Sequence, residues 1–320
     1  MCKNSKVKIV MYHYIRDLND SRYPKIKGLD YRLFKQQIEF FNRNFNVVTM
    51  EQVIAAKNES YELPENAVIL TFDDGYIDHF TFAFPILSEY KMQGSFFIPG
   101  KTFVEHALLD VNKIHFILAS DGISNILKSV FEQMDYYRGD EFNYESNEKL
   151  FKKYAVASRF DPKEVIFVKR ILQTVLPEKL RNIITSYMFE QYVGIKEEVF
   201  ARELYMNKEQ IKCMKDNGMY IGLHGYDHYW LGSLDNSQLK EDITKALDCM
   251  SNFIDAGSWV MNYPYGSYND DVIKYISENG CKLGLSTDVR IADLSKDTIF
   301  ALPRLDTNDF PPKSENYENY

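Results

Sequence analysis

The chain of 320 residues has few cysteines, no long apolar run and no block of basic residues. Its four cysteines form no CxxC pair, so the spacing does not support a zinc ribbon or a disulfide framework, and we expect free buried thiols. No stretch approaches the roughly 20 apolar residues of a membrane-spanning helix. The formal net charge of −8 argues against a nucleic-acid partner held by phosphate contacts.

The N-terminal residues are not expected to form a secretory signal. The first twenty residues contain only a short apolar run of strand length, which ends in a His and charged residues. They show no long apolar core and no small-residue cleavage site. We therefore expect a cytoplasmic protein.

Short β-rich runs alternate with helical patterns over much of the chain. "VKIVMYHYI" (7–15) is typical of a strand, and residues 30–45 carry apolar side chains at helical spacing. The continuous apolar run in "AVILTFDD" (67–74) suits a strand buried on both faces. Such a β/α series predicts parallel strands with helical crossovers, closed into a barrel or left as an open sheet. In either arrangement ligands bind at the carboxyl ends of the strands.

A long interruption separates the two stretches of β/α alternation. From about residue 101 to residue 205, charged residues lie between apolar ones and glycines are few. This pattern is helical rather than β-like. We predict a mostly helical insertion between two strands.

Two adjacent carboxylates, Asp73 and Asp74, follow the apolar run directly. Neighbouring carboxylates repel, and each is costly to bury unless a cation neutralises it or a proton stays on one of them. The sequence therefore suggests a cation nearby.

A second polar group, "GLHGYDHYW", contains His224 and His228 and also follows an apolar strand. A spacing of four residues on a helix, or in a glycine-containing loop, can aim both imidazoles at one ion; two polar residues on a turn are the alternative. With one aspartate they would form a three-ligand site with an open position, typical of catalytic zinc. The other aspartate could then remove a proton from a water whose pKa the metal lowers.

A third polar group, "NYPYGSY" (262–268), again follows a strand. Pro264 and Gly266 fix a tight turn that can present a backbone N–H to a substrate oxyanion, and a plain turn is the alternative.

Three motifs, "TFDDG" (71–75), "HGYDH" (224–228) and "YPYG" (263–266), resemble in this order the polysaccharide deacetylase family, carbohydrate esterase family 4. The resemblance covers roughly residues 7–100 and 205–305. It implies a distorted (β/α)7 barrel in one catalytic domain spanning residues 1–320. It also implies a hydrolase that uses a divalent metal, usually zinc, to remove acetyl groups from N-acetylated sugars.

The resemblance assigns roles to single residues. It implies that Asp73 is the general base, and that the Tyr265 backbone N–H helps to hold the oxyanion. The implied metal ligands are Asp74, His224 and His228. The chain departs from the family pattern at Gly225, where Ser or Thr is usual, and at Asn262, where the third motif often begins with Arg. The family's late His, its usual general acid, has no counterpart, because all six His lie at or before position 228.

Three further residues are candidates for supporting roles. "MYHYI" places His13 at the end of the first strand and resembles the "YH" motif of a subgroup with permuted motif order, which implies a general acid; a core histidine is the alternative. "ALPRLDTND" places Arg304 after a late strand, where it could pair with Asp73 or form a surface salt bridge. Asp288 in "LSTD" could support the same group. His79 is expected to be structural or solvent-facing.

The expected substrate is a carbohydrate or a small glycoconjugate, possible examples being cytoplasmic precursors such as nucleotide-linked or lipid-linked sugars. Two other functions fit the same sequence. One is a metal hydrolase of a different non-peptide C–N bond, such as a formamide or a cyclic amide. The other is a sugar-binding barrel without catalysis.

Overall fold

The computed structural model describes residues 5–58, 60–139 and 141–320, and the chain divides into two compact units. The first unit consists of the described residues up to Asp17, Gly28–His106 and Arg202–Tyr320. The second consists of Leu18–Lys27 and Ala107–Ala201. In the described residues no helix combines the length and the apolar character needed to cross a membrane.

The strands and helices follow the alternation that the sequence predicts. The strands are β1 (Lys6–Tyr12), β2 (Ile15–Arg16), β3 (Leu29–Asp30), β4 (Asn46–Val47), β5 (Ala67–Asp73), β6 (Gly94–Ile98), β7 (Tyr220–Leu223), β8 (Trp259–Asn262), β9 (Cys281–Leu285), β10 (Ala292–Asp293) and β11 (Leu305–Asp306). The helices are α1 (Tyr31–Asn44), α2 (Met50–Lys57), α3 (Phe84–Glu89), α4 (Gly100–Val104), α5 (Asp110–Ser120), α6 (Ile123–Tyr137), α7 (Asn147–Tyr154), α8 (Lys163–Arg170), α9 (Glu178–Val193), α10 (Glu197–Leu204), α11 (Lys208–Asp216), α12 (Asn236–Met250) and α13 (Asp270–Glu278). A π-helical turn precedes α3.

The first unit is built on one curved sheet with the strand order β10-β1-β5-β6-β7-β8-β9. Neighbouring strands are parallel except for the pair of β1 and β10. β11 pairs in parallel with β1, and Leu302 forms a parallel bridge to Leu285 in β9. The segment that contains Leu302 and β11 therefore contacts both edge strands of the parallel series. This arrangement confirms the predicted distorted (β/α) barrel.

The position of β5 in the sheet explains its sequence. All seven of its residues are buried, and it pairs with β1 on one side and β6 on the other. A strand covered on both faces needs the continuous apolar run that the sequence shows. Its last residue, Asp73, is the point at which that run ends.

The carboxyl ends of the parallel strands bring the three motifs together. β1 ends one residue before His13, β7 ends one residue before His224, and β8 ends at Asn262. Because these strands run parallel to β5, their carboxyl ends meet at one edge of the sheet.

Side-chain caps fix the starts of two helices of the first unit, α1 and α12. The Asp30 carboxylate accepts a hydrogen bond from the Arg32 N–H at 2.9 Å at the start of α1. Asp235 and Gln238 form a reciprocal capping box at the start of α12. Each cap satisfies backbone N–H groups that have no partner inside the helix.

The second unit is helical, as the pattern of charged and apolar residues in its sequence predicts. Its helices α5 and α9 pack against each other, and the ring of Phe116 lies 4.6 Å from that of Phe200 and 5.0 Å from that of Tyr23. Lys27 forms an ion pair with the buried Asp161. The early segment Leu18–Lys27 thus packs in this unit, an association that sequence spacing did not indicate.

The predicted free thiols occur in three different environments. Cys281 is buried, Cys249 is partly buried and Cys213 is exposed. The prediction of buried thiols is therefore wrong for Cys213, which lies on the outer side of α11. Cys2 lies outside the described residues.

Candidate active site

The chain turns sharply after β5, and this turn separates the two aspartates. Asp74 has a φ of +75° and Gly75 a φ of +68°. A left-handed conformation is uncommon for a residue with a side chain, although aspartate tolerates it better than most, and it often occurs at functional sites. A Cβ atom on Gly75 would lie 2.7 Å from Ile98 Cγ2, so only glycine fits here.

The first aspartate is the centre of a group that we name the Asp73 cluster: Asp73, Asn262, Arg304 and His13. Arg304 donates from Nη1 to Asp73 Oδ1 at 2.8 Å and from Nη2 to Oδ2 at 2.9 Å. Asn262 Nδ2 also donates to Oδ1, at 2.6 Å. A bidentate guanidinium fixes both the plane and the charge of a carboxylate.

Arg304 is 1% exposed, so the alternative of a surface salt bridge is wrong. Its Nε donates to the Ser286 carbonyl at 2.9 Å, and its own backbone N–H donates to the Asp288 carbonyl. Asp288 therefore contacts Arg304 through its backbone, while the residue itself is exposed.

The charges around Asp73 decide its protonation state. Burial by itself would raise the pKa of this carboxyl, but the positive charges of Arg304 and His13 outweigh that effect and hold the pKa below its ordinary value. Asp73 is therefore ionised at neutral pH.

His13 lies at the open side of the cluster. Its Nε2 is 3.8 Å from Asp73 Oδ2, and 42% of its side chain is exposed. The alternative of a core histidine is therefore wrong. Its backbone carbonyl accepts a hydrogen bond from His79 Nε2 at 2.8 Å. His79 is 0% exposed, so the expectation that it faces solvent is wrong. A structural role remains.

The second aspartate is the centre of the Asp74 cluster, which we define as Asp74, His224, His228 and Tyr76. Asp74 Oδ1 lies 3.3 Å from His224 Nε2 and 3.2 Å from His228 Nε2. The hydroxyl of Tyr76 donates to the other oxygen, Oδ2, at 2.5 Å. One carboxylate oxygen is thus held by the phenol, and the other faces the two imidazoles.

The orientation of His224 is fixed by the backbone of β8. Its Nδ1 lies 2.6 Å from the carbonyl oxygen of Asn262. A carbonyl only accepts hydrogen bonds, so Nδ1 carries the proton and a neutral His224 has a lone pair on Nε2. That lone pair faces a carboxylate oxygen. Two acceptors at this distance need a proton or a metal ion between them.

The three atoms fit a metal ion. Asp74, His224 and His228 are buried, and their ligand atoms lie within 4.8 Å of one another. Zinc bonds of about 2.0–2.2 Å in a tetrahedron put neighbouring ligand atoms about 3.4 Å apart, close to the spacing around Asp74 Oδ1. Burial lowers the pKa of His228 despite the nearby Asp74, which favours the neutral imidazole that metals bind.

The third motif forms one wall of the site. Tyr265 lies in a tight turn (Pro264–Gly266) with a φ of +59°. Its ring centroid is 4.7 Å from that of His228, and on its other side it stacks on Trp230 at 4.4 Å. The predicted tight turn is therefore confirmed, and its Tyr265 ring lies beside His228.

Sequence reasoning missed several residues of these clusters. Asn262 was noted only as a departure from the family motif, yet its amide contacts Asp73 and its carbonyl contacts His224. Tyr76 directly follows the first motif, and its position was the only available signal. The link of His79 to His13 had no signal, because it depends on a contact between residues 66 positions apart.

Comparison with known proteins agrees with the geometry. The sequence profile of the polysaccharide deacetylase family matches residues 60–134 and 150–284. The Bacillus subtilis protein YxkH is 19% identical over 304 residues, which cover 95% of this chain and 72% of that protein. The poly-beta-1,6-N-acetyl-D-glucosamine N-deacetylase of Staphylococcus aureus is 24% identical over 216 residues, or 61% of this chain and 72% of the relative.

Solved structures share the fold. IcaB from Ammonifex degensii superimposes with a TM-score of 0.58 and 17% identity, and the match covers 99% of both chains. The family profile matches more than half of the chain and includes all three motifs. The chain therefore belongs to the polysaccharide deacetylase family, a family of hydrolases that act on carbon–nitrogen bonds other than peptide bonds.

Proposed function

We propose that the chain is a metal-dependent hydrolase that removes the acetyl group from an N-acetylated sugar. Asp74, His224 and His228 would hold one divalent cation, which we expect to be zinc. The convergence of three buried ligand atoms carries the proposal, because Nε2 of His224 and of His228 lie 3.3 and 3.2 Å from the same oxygen of Asp74, a donor set that suits a divalent cation. Such a cation, when bound, supplies Lewis-acid polarisation of the acetyl carbonyl and increases the acidity of water.

Asp73 acts as the general base in this proposal. Its Oδ1 already accepts hydrogen bonds from Asn262 and Arg304, whereas Oδ2 accepts one from Arg304. Oδ2 therefore keeps a lone pair that can take a proton from the attacking water. Arg304 keeps the carboxylate ionised and fixes the direction of that lone pair.

His13 acts as the general acid. Its Nε2 lies 3.8 Å from Asp73 Oδ2, and its exposed side chain is free to approach a substrate. The oxygen of water bonds to the acetyl carbon, the C–N bond breaks, and His13 protonates the leaving nitrogen. The products are acetate and a free sugar amine, and the proton on Asp73 can return to His13.

Two residues have supporting roles in the proposal. The Tyr265 backbone N–H would donate to the oxyanion, and the contact of its ring with His228 supports this assignment. Asp288 would hold Arg304 through its backbone carbonyl.

The substrate class is an N-acetylated sugar, and the S. aureus relative supports an N-acetylglucosamine unit. That relative acts on a polymer, so β-1,6-linked oligomers are candidates beside the nucleotide-linked or lipid-linked precursor that the sequence suggests. The cytoplasmic location stays a prediction.

The test is release of acetate by purified protein loaded with zinc. Substrates are β-1,6-linked N-acetylglucosamine oligomers and UDP-N-acetylglucosamine, and formylated amines serve as the comparison. Acetate from a sugar supports the proposal; formate alone would identify a different C–N hydrolase, and sugar binding without any product would identify a non-catalytic barrel. His13→Ala with wild-type turnover would rule out its role as the acid.

A further inference from the structure

The loop between the two histidine ligands is held by a carboxylate from helix α12. The backbone N–H of Tyr226 donates to Asp242 Oδ2 at 3.0 Å, and the N–H of Asp227 donates to Asp242 Oδ1 at 2.9 Å. Asp242 lies on α12 and is 4% exposed. One buried carboxylate thus uses both oxygens to hold two successive peptides of the loop that joins His224 to His228.

Glycine at position 225 permits this close approach. A Cβ atom there would lie 3.0 Å from Asp242 Oδ2, and Gly225 has a φ of +69°, which a side chain would strain. The Asp242 carboxylate therefore lies beside Gly225, the residue at which the second motif departs from the family pattern. A hydroxyl residue at 225 would compete with Asp242 for the same space.

The opposite side of the loop is held by backbone and side-chain contacts. Lys101 forms an ion pair with Asp227, and the Tyr226 hydroxyl donates to Glu105 at 2.7 Å. The carbonyls of Gly225 and Tyr226 accept hydrogen bonds from the N–H groups of Gly100 and Lys101 at 3.1 and 3.0 Å. These bonds fix the distance of the loop from α4 and leave its N–H groups for Asp242. The loop peptides are therefore held from both sides, and Asp242 is a side chain that can be removed by mutation.

The conformation of His228 depends on such support. Its φ is +58°, in the left-handed region that residues with a side chain rarely adopt. A backbone of this kind persists only where the surroundings hold it. The peptides that Asp242 binds come immediately before His228, so their release gives that residue a route to relax and turn its imidazole away from Asp74.

We propose that Asp242 is a positioning residue for the metal centre: it fixes the 225–227 loop so that His224 and His228 present Nε2 beside the same oxygen of Asp74. This inference rests on the proposed function. Groups that orient metal ligands without touching the metal typically contribute about 10–100-fold to metal affinity.

The test compares Asp242→Asn and Asp242→Ala with Glu241→Gln. Asn keeps the shape and one acceptor oxygen, Ala removes both, and Glu241 is an exposed neighbour that pairs with Lys245 at 2.6 Å on the same helix. Zinc dissociation constants are measured by chelator competition at a temperature at which each variant is folded. We expect the zinc dissociation constant to rise about 10-fold in Asp242→Asn and up to about 100-fold in Asp242→Ala, and not to change in Glu241→Gln.

A second measurement does not depend on metal. Hydrogen exchange of the Tyr226 and Asp227 amides in metal-free protein should be slow in the wild type and in Glu241→Gln, and faster in both Asp242 variants. If Asp242→Ala does not fold, Asp242→Asn decides by the same two measurements. Unchanged zinc affinity in folded Asp242 variants would overturn the positioning role and leave the proposed function intact. A wild type that binds no zinc would count against the proposed function itself, and the inference would fall with it.

Discussion

Asp73 and Asp74 are adjacent in the chain, yet the first receives its hydrogen bonds from a guanidinium and an amide, whereas the second faces two imidazoles and a phenol. In the Asp73 cluster the carboxylate charge is already balanced by Arg304. In the Asp74 cluster, within the described part of the chain, the carboxylate contacts two imidazoles, which are neutral in the form that metals bind, and one hydroxyl. The two clusters therefore differ in whether the protein itself supplies the positive charge.

This difference explains how two neighbouring carboxylates can both remain ionised. Each lies at most 3% exposed, and burial alone would raise both pKa values. Arg304 holds the pKa of Asp73 below its ordinary value, and hydrogen bonds from the imidazoles of His224 and His228 in their protonated form hold the pKa of Asp74 well below it. Neutral imidazoles, the form that metals bind, leave that role to a bound cation. With neutral imidazoles, only the Asp74 side needs an added cation, which assigns proton transfer to Asp73 and metal binding to Asp74.

The largest effect should follow from changing the side that depends on a cation. Asp74→Asn keeps the shape of the side chain but removes the charge that faces the two imidazoles. We expect zinc affinity to fall by more than about 100-fold and turnover to reach background, since a lost ligand costs more than a lost orienting group. Metal analysis after dialysis, together with acetate release, measures both. A variant that kept stoichiometric zinc would contradict the assignment of Asp74.

The neighbouring substitution should separate turnover from metal binding. Asp73→Asn removes the proton acceptor while Asp74, His224 and His228 stay in place. General-base catalysis contributes about 10²–10⁴-fold, so we expect kcat to fall by that factor with zinc content unchanged. The same two assays serve, with the wild type as the control. Zinc that fell in parallel with turnover would show that the two clusters are not independent.

The local motifs made much of this comparison predictable. Asp73, Asp74, His224 and His228 follow apolar runs, and parallel strands bring their carboxyl ends to one edge, so their grouping follows from the β/α pattern. Arg304 could be suggested because the third motif begins with Asn262 rather than Arg, which left a position to fill. The missing Arg at the start of the third motif was therefore the signal that pointed to Arg304.

The residues that support the clusters were less predictable. Asp242 holds the loop before His228 from another helix, and a lone aspartate in an amphipathic helix has no sequence signature. The link of His79 to the backbone of His13 likewise depends on packing around the end of β1. Contacts of this kind require coordinates, because they join distant residues without a spacing that chemistry would dictate.

A stability measurement can sharpen the contrast on the Asp73 side. Arg304→Gln leaves a buried carboxylate without its charge partner, which costs about 3–5 kcal/mol for buried pairs. The matched control is Arg290→Gln, because Arg290 pairs with Asp297 but is 49% exposed, and surface pairs contribute about 0–1 kcal/mol. Urea unfolding of metal-free protein measures both losses.

A double-mutant cycle identifies the source of the Arg304 effect. In the Asp73→Asn background no charge is left behind, so Arg304→Gln should cost less there than in the wild type. Arg304 also donates from Nη1 to the Thr71 hydroxyl at 3.3 Å. Equal losses in the two backgrounds would mean that Arg304 stabilises the fold through this contact and the one with the Ser286 carbonyl rather than through Asp73.

The smallest expected effect concerns the histidine that holds the backbone of His13. Burial lowers the pKa of His79 from 6.5 to about 4, and its hydrogen bond to the His13 carbonyl offsets only part of this. Between these values the unfolded chain binds a proton at this position and the folded chain does not, so stability is lost as the pH falls from about 6.5 to 4. At 1.36 kcal/mol per pKa unit the loss is about 3 kcal/mol.

His79→Gln separates this effect from the titration of the carboxylates. The amide of glutamine can donate to the His13 carbonyl but does not titrate, while Asp73 and Asp74 are present in both proteins and contribute equally. Urea unfolding of metal-free protein at a series of pH values should therefore show a flatter curve for the variant between pH 6.5 and 4. Parallel curves would mean that His79 takes up a proton in the folded state, and that His13 is held by a positive charge rather than by a neutral donor.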